Sequence, residues 1–284
     1  MTSKIPFLRW AMILSAVFFL TATLNAQDYE QDEDQSLLDV INWQHGPSMA
    51  EMEDIAEIRL PGGYVFANKA DAQALMEAMG NIVSNNELGL MAPETFAWFV
   101  VFEFSDVGYV KDDEKNELDA DAMIESIRKG TEESNKYRED RGFTAIHVLG
   151  WETTPHYDDM THNLEWAIKL KDDNGDLILN HNTRILGRKG VMEVTLVVDP
   201  DSMANVLPIF REHLNDFSFK AGHKYAEFRD GDKIAKYGLT GLVVGGAAAV
   251  AAKSGLFKWL WKLIVVGIAS VGVFFKRIFG KKDK

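Results

Sequence analysis

Four strand-like runs follow one another with only short turns between them, and this feature restricts the fold more than any other. The runs are rich in β-branched and aromatic residues, and turn sequences such as DDNGD and GRKG join them. A connection this short returns a strand antiparallel to its neighbour, because a parallel return needs a crossover of a dozen or more residues. The sequence therefore predicts an antiparallel meander made of FTAIHVLGWETT, NLEWAIKLK, LILNHNTRIL and VMEVTLVV.

Three segments outside the meander carry helix signals. Asn68 is placed to cap KADAQALMEAMG, and Asp119 is placed to cap a helix that runs to about Arg141. Asp199 and Pro200 begin the third helix, DPDSMANVLPIFREHLND, with residue types that favour a helix start. The apolar stripe of the second helix predicts a buried face made of Met123, Ile124, Ile127 and Tyr137.

Two further segments, EIRLPGGYVFAN and TFAWFVVFEFSDVGYV, supply the remaining strands. Strands and helices together predict an α+β domain over residues 43–236. We expect a mostly antiparallel sheet of about six strands with helices packed on it.

Side-chain alternation along the meander predicts which residues face the core. Trp166, Ile168 and Leu170 share one face of their strand, and we expect that face to be buried. By the same alternation, His181 falls on the core side, opposite His156. The other face is expected to meet solvent, and its polar residues are Glu152, Thr154, His156, Glu165, Lys169, Lys171, Asn180, Asn182, Arg184, Glu193 and Thr195.

Charge is distributed unevenly and excludes one class of partner. Residues 1–26 carry +2 and residues 253–284 carry +7, so the total of −13 leaves −22 on residues 27–252. A domain this acidic is repelled by nucleic acid, so we expect no nucleic-acid partner. Residues 27–42 form an acidic linker. The chain has no cysteine, which rules out disulfides, thiolate metal ligands and cysteine nucleophiles.

Both ends of the chain predict membrane targeting. Residues 1–26 have the basic start, apolar run and small-residue end of a signal peptide, with an uncleaved anchor as the alternative. Residues 237–275 contain two uncharged apolar runs, and they predict one or two transmembrane helices. A basic tail, 276–284, follows and favours a cytoplasmic end. The sequence therefore predicts a bacterial inner-membrane protein, single-pass or hairpin, with a periplasmic main domain.

Small residues recur four apart at the start of the predicted membrane segment. Gly241, Gly245 and Ala249 form a stripe of the kind that closely packed membrane helices use. The alternative is that small residues are merely tolerated in such a helix. The sequence is consistent with both interpretations.

The stretch GWETTPHYDDMTHNLEWA concentrates the residue types that carry chemistry. One hypothesis is an acid–base or metal site built from His156, Asp158, His162 and His181. The favoured alternative is a tight strand connection, because the spacing matches no zinc or calcium pattern. No phosphate loop, dinucleotide motif, HExxH or GxSxG is present, so we expect neither a cofactor nor a metal. Asn180, Asn182 and Arg184 are candidates for binding a carboxylate or phosphate.

Four ordered motifs carry a resemblance to a known family. They are LPGGYVFAN, GWETTPHYDDMTHNLEWA, NHNTRILGRKGVMEVTLV and AGHKYAEFRDGDKIAKYGLTGLVVGGAAA. In this order behind a signal sequence, they resemble the bacterial membrane-anchored family called domain of unknown function 2167, from about Trp43 to Ala252. The resemblance implies an envelope protein with a C-terminal anchor, and it implies no activity. The order of elements also looks like the α/β/α sandwich of PsbP and Mog1, and fold alone does not give function.

Three hypotheses for function follow. The first is a membrane-anchored envelope domain without enzymatic activity, which binds a protein or small-molecule partner through its polar sheet face. The second is an envelope hydrolase that uses His156, Asp158 and His162, with or without metal. The third is a structural membrane component assembled through the glycine stripe.

Overall fold

The predicted meander forms one half of a large antiparallel sheet in the computed structural model, which describes residues 40–244. The strands are β1 (Gln44–His45), β2 (Ser48–Met52), β3 (Ala56–Leu60), β4 (Tyr64–Asn68), β5 (Glu87–Pro93), β6 (Trp98–Ser105), β7 (Ile146–Asp158), β8 (Asn163–Asp172), β9 (Leu177–Leu186), β10 (Val191–Val198) and β11 (Phe217–Phe219). Eight of them form the large sheet in the order β1-β4-β5-β6-β10-β9-β8-β7. The other three form a small sheet in the order β11-β3-β2.

The α+β prediction and the antiparallel meander are confirmed, and β9 and β10 coincide with the predicted runs. The predicted number of about six strands is wrong, because β2 and β5 were among those missed. β5 has the sequence ELGLMAP, with a glycine, a proline and no β-branched residue. It is buried along almost its whole length, so neither composition nor alternation marks it as a strand.

All three predicted helices are present, and the first two have the expected caps, whereas the third α-helix begins after Ser202, which makes no side-chain cap bond. The helices are α1 (Lys69–Ala78), α2 (Ala120–Glu139), α3 (Met203–Leu214) and α4 (Leu239–Val244). Asn68 Oδ1 accepts from the backbone N–H of Ala70 at 3.0 Å, and Asp119 Oδ1 accepts from that of Ala122 at 3.0 Å. Asp199 caps a short 3₁₀ turn, Pro200–Ser202, that leads into α3. These side chains satisfy backbone donors that have no partner within the helix.

The front face of the large sheet packs on α3 and on the small sheet. Val100 and Leu196 are opposed in register on this face. Apolar residues from both sheets and α3 form one continuous core there, which includes Ala50, Ile58, Phe66, Phe102, Val194, Met203, Val206 and Phe210.

The back face of the sheet packs on α1 and α2. The indole of Trp151 donates to the carbonyl of Ala120 at 3.1 Å, which joins β7 to the start of α2. At the other end of α2, Arg138 Nη1 donates to the carbonyl of Gly80, just after α1, at 3.0 Å. Both faces are therefore covered over much of the sheet, and a polar residue in a strand need not face solvent.

The buried face of α2 becomes polar along its second half, which corrects the predicted apolar stripe. Met123 and Ile124 are buried as expected, whereas Ile127 and Tyr137 are only partly buried. Asn135 is buried and hydrogen-bonds to both backbone groups of Ile146. Its Nδ2 donates to the carbonyl at 2.8 Å, and its Oδ1 accepts from the N–H at 2.9 Å. An edge strand has backbone groups without a partner strand, and at the start of β7 the amide of Asn135 satisfies the N–H and the carbonyl of Ile146.

The start of the predicted membrane segment packs against the domain. Helix α4 contacts α2, and Leu239, Leu242 and Val243 are buried. The N–H of Thr240 donates to Glu114 Oε2 at 3.0 Å, so a carboxylate holds the first turn of the helix.

Gly241 has a local reason to be glycine. A Cβ atom at this position would lie 2.6 Å from Cδ2 of the Tyr237 ring, closer than real contacts allow. The close approach of Tyr237 accounts for the small residue without any membrane helix partner.

Several predictions fall outside residues 40–244. They are the signal peptide (1–26), nearly all of the acidic linker (27–42), Gly245 and Ala249, most of the membrane segment (237–275) and the basic tail (276–284). Among residues 40–244, none of the helices combines the length and apolar character needed to cross a bilayer.

Candidate functional sites on the two faces of the sheet

The stretch GWETTPHYDDMTHNLEWA contains the connection between β7 and β8. Asp158 accepts from the N–H groups of Thr161 at 3.1 Å and Met160 at 2.7 Å, and these bonds lower the pKa of its carboxyl group. His162 adopts a left-handed backbone conformation, with φ of 56°. Its Nδ1 lies 3.1 Å from the hydroxyl of Tyr157. Asp158 and His162 therefore stabilise the turn.

Irregular pairing in β7 decides where His156 points. The register between β7 and β8 shifts three times, and the last shift lies between Thr153 and His156. As a result His156 is directly opposite Glu165. Bulges of this kind bend and twist an edge strand, which also protects it from pairing with other chains.

Glu165 lies at the centre of a cluster on the front face, which we call the Glu165 cluster: His156, Glu165, His181 and Arg211. Its Oε2 atom lies 2.9 Å from Arg211 Nη2, 3.5 Å from His181 Nε2 and 4.0 Å from His156 Nε2. The prediction that His181 lies opposite His156 is wrong. Register puts Ala167 opposite His181 and Glu165 opposite His156, so both histidines share one face.

The Glu165 cluster ties α3 to the sheet. Burial opposes ionisation of Glu165, but His181 and Arg211 outweigh burial and lower its pKa to about 2. Its carboxylate therefore stays charged at neutral pH and holds Arg211 of α3. His181 is only 1% exposed. Within residues 40–244, no three histidine, aspartate or glutamate side chains are grouped so that they could hold a metal ion.

Asn180, Asn182 and Arg184 lie on the back face and not on a solvated one, which corrects the sequence prediction. Asn182 is opposite Trp166 and Asn180 is opposite Ile168 in register, so these polar and apolar residues share one face. Both asparagines are buried, with 8% exposure each. The prediction equated polar with exposed, and that rule fails for a sheet with helices on its back and a second sheet on its front.

These residues belong to a group that we call the polar strip: Asn180, Asn182 and Arg184 of β9 with Glu193 and Thr195 of β10. Arg184 and Glu193 are partly buried, and the other three are buried. Arg184 Nη2 lies 2.9 Å from Glu193 Oε2, and the guanidinium carbon lies 4.8 Å from the centre of the Trp166 ring. Thr195 Oγ1 donates to Asn182 Oδ1 at 3.3 Å. The strip is thus partly satisfied by its own members.

Three polar atoms of the strip have no hydrogen-bond partner among residues 40–244. They are Nε and Nη1 of Arg184 and Oδ1 of Asn180. A buried polar group left without a partner costs roughly 1–3 kcal/mol, and more when it is charged. Native proteins leave few such groups, and each one requires an explanation.

A row of carboxyl groups continues from the strip, and sequence reasoning missed it. Glu103 is opposite Glu193 on one side and Glu87 on the other. Burial, with the charges of Glu193 and Glu87, raises the pKa of Glu103 to about 8, although Arg184 acts in the other direction. The signal was a single acidic residue in the apolar run WFVVFEFS. A carboxyl group in such a strand must be neutral or paired.

A separate cavity of about 360 Å³ lies beside the start of α1. Glu53 and Lys69 line it, and their charged groups pair with each other at 3.0 Å. The charged groups of Glu53 and Lys69 in this cavity therefore already have partners, unlike the free atoms of the polar strip.

Comparisons with known proteins identify a family and two structural neighbours. A family model described as "Protein of unknown function (DUF2167)" matches residues 44–275. No curated protein matches the chain. The solution structure of cyanobacterial PsbP (CyanoP) from Synechocystis sp. PCC 6803 is 12% identical, covers 63% of this chain and 94% of its own, and has a TM-score of 0.39. A point mutant of the protein Mog1 is 11% identical, covers 61% and 95%, and has a TM-score of 0.33. Nothing about function follows from these two neighbours.

Proposed function

The chain belongs to the DUF2167 family of proteins of unknown function, and we propose that it is a membrane-anchored envelope protein whose domain binds a small polar ligand at the polar strip. The observation that carries this proposal is the set of buried, unpartnered atoms on Arg184 and Asn180. A bound ligand would satisfy them.

The free atoms define the chemistry of the ligand. Arg184 Nε and Nη1 donate hydrogen bonds, and Asn180 Oδ1 accepts them. Glu193 already balances the charge of Arg184, so an anion in the strip would add an unpaired buried charge. A neutral ligand with both donors and acceptors, such as a polyol or an amide, therefore fits better than the carboxylate or phosphate expected from sequence.

Ligand binding is expected to raise the thermal stability of the full chain in detergent. At a concentration of about 100 Kd a ligand adds about 2.7 kcal/mol to the free energy of unfolding. For a domain of this size, that is a rise in Tm of about 5–10 °C. The measurement is thermal unfolding with a panel of polyols, small amides and carboxylates.

Two variants test whether a rise in Tm comes from ligand binding at the polar strip. Arg184→Met and Asn180→Leu should unfold cooperatively but lose the rise, each measured against its own ligand-free Tm. Arg211→Met is the matched control, because Arg211 also pairs with a glutamate but lies on the front face. Stabilisation that survives in both strip variants, or a panel in which only carboxylates stabilise, would refute the proposal.

Membrane anchoring in the envelope is supported by sequence. The signal-like start, the apolar residues 237–275 and the basic tail are the grounds for it. The acidic charge of residues 27–252 also disfavours close contact with nucleic acid or anionic lipid.

Protease treatment of spheroplasts is expected to degrade the main domain while a tag after Lys284 survives. A single crossing leaves the basic tail in the cytoplasm, whereas a hairpin returns it to the exterior, where the tag is cleaved. The protein should remain in the membrane pellet after alkaline carbonate extraction. A main domain that is protected in intact spheroplasts, or release by carbonate, would contradict envelope anchoring.

A further inference from the structure

One end of the large sheet brings together the β9–β10 turn, the β7–β8 turn and the loop that follows β6. Val191, the first residue of β10, is opposite Leu186 at the end of β9 and Ser105 at the end of β6. Asn163, the first residue of β8, is opposite Ile185 near the end of β9. All three connections therefore leave the sheet at the same end, which we call the upper end.

Residues 222–236, which we call the collar, are fixed to the upper end by backbone hydrogen bonds. The N–H of Arg188, in the β9–β10 turn, donates to the carbonyl of His223 at 2.8 Å. The N–H of Tyr109, in the loop after β6, donates to the carbonyl of Lys233 at 2.8 Å. Both ends of the collar therefore have a defined place beside these connections.

Helix α4 starts from the same end of the sheet. It begins shortly after the collar, and Glu114, in the loop after β6, accepts from the N–H of Thr240 in its first turn at 3.0 Å. The chain then continues into residues 245–275, whose sequence is largely apolar. An anchor in residues 245–275 would place the upper end of the sheet, and not the lower one, next to the bilayer.

The collar and the β9–β10 turn differ in charge from the rest of the domain. Residues 187–190 and 222–236 contain six basic and three acidic residues, a net charge of +3, whereas residues 27–252 carry −22. Five of the basic side chains are exposed: Lys189, Lys224, Arg229, Lys233 and Lys236. Among residues 40–244, only Lys233 of these five forms an ion pair with a carboxylate, at 3.7 Å from Asp106. The other four are available to an anion from outside the domain.

Two of the three acidic residues in these segments are already bound within the domain. Asp232 pairs with Arg188 at 2.7 Å, and Glu227 accepts from an N–H of the collar at 2.7 Å. The loop after β6, in contrast, exposes Asp113 and Glu117. Contact with a negative surface is therefore favoured through the collar and the β9–β10 turn, and not through this loop.

We propose, given the membrane anchor proposed above, that the collar and the β9–β10 turn bind anionic lipid headgroups and hold the domain in one orientation on the membrane. Lysine and arginine side chains donate charge-assisted hydrogen bonds to phosphate oxygens. Ile234 lies among these cations and is 42% exposed, and an apolar side chain suits the boundary between headgroups and acyl chains. The acidic remainder of the domain is repelled by the same surface, so only the upper end can approach it.

Fluorescence quenching in nanodiscs tests the contact, because the natural chain has no cysteine. Ala226→Cys places one probe on an exposed collar residue, and Asn174→Cys places one in the exposed β8–β9 turn at the lower end. The full chain is reconstituted in discs of phosphatidylcholine, with or without phosphatidylglycerol, that carry a quencher on lipid headgroups. We expect quenching at position 226 to be about twofold stronger with phosphatidylglycerol and to lose this excess in high salt, with no change at position 174.

Paired charge changes identify the surface that makes the contact. Lys224→Gln combined with Arg229→Gln should remove the excess quenching at position 226. Lys171→Gln combined with Arg141→Gln is the matched control and should keep the excess. It removes the same charge from two exposed residues away from the collar, because Lys171 is opposite the first residue of β9 and Arg141 reaches Glu77 just before the end of α1.

Incorporation into the discs separates the failure of lipid binding from the failure of the membrane anchor. A chain that enters neither kind of disc refutes the anchor, and lipid binding with it. A chain that enters both but is quenched equally at position 226 with and without phosphatidylglycerol, or that loses the excess in both double variants, refutes lipid binding by the collar alone. Absence of quenching in both discs also refutes it, and would indicate that the collar faces a protein partner.

Discussion

Replacement of Phe210 by alanine is expected to lower the free energy of unfolding by about 3–5 kcal/mol. Phe210 of α3 is 1% exposed and belongs to the front-face core, where its ring meets that of His181 edge-on at 5.8 Å. Removal of the ring leaves a cavity between α3 and two sheets, and strands that are hydrogen-bonded on both sides cannot collapse to fill it. Urea denaturation of the full chain in detergent measures the change.

The adjacent residue provides the control. Ile209 lies on the same helix but is 40% exposed, so Ile209→Ala is expected to change stability by about 0.5 kcal/mol or less. Equal losses for the two variants would mean that α3 is held by its helical propensity and its Arg211–Glu165 contact, and not by the front-face core.

Local signals were sufficient for the helices and for the meander. Asn68 and Asp119 cap the helices that they were predicted to cap, and Asp199 caps the 3₁₀ turn before the third, because a cap acts on donors two or three residues away. The short turns of the meander likewise fix antiparallel pairing without help from distant residues. Strand β5 had no such signal, since it is specified by burial between β4 and β6.

The candidate sites were predicted less well, because they depend on which faces of neighbouring strands coincide. Alternation assigns residues to two faces within one strand, but register and bulges decide how the strands combine. His181 was predicted on the core side, and it is buried, but the face of Glu165 was joined to that of Asn180 and Asn182. The register of β8 and β9 instead puts Glu165 opposite Thr183, and therefore on the same face as His181. Asn180 and Asn182 were predicted as exposed because nothing in β9 itself reveals the helices behind it.

The polar half of α2 leads to the second large effect. Arg138→Met is expected to lower the free energy of unfolding by about 3–5 kcal/mol, because it leaves buried acceptors without donors. Arg138 is 2% exposed, and it donates to the carbonyls of Thr144 at 2.9 Å and Gly80 at 3.0 Å. Burial lowers its pKa to about 10, with Asp172 opposing the change, so the guanidinium is still charged at neutral pH.

Arg141 is the matched control for this prediction. It lies one turn further along the chain, is largely exposed, and reaches Glu77 only at 3.7 Å, so Arg141→Met should cost about 1 kcal/mol or less. The contrast tests whether Arg138 acts as a donor to loop carbonyls or only as a buried stem. Methionine keeps most of the apolar stem and removes the donors. A loss below about 1 kcal/mol in Arg138→Met would show that packing of the stem suffices. A large loss would show that a single guanidinium joins the end of α1, the end of α2 and the approach to β7.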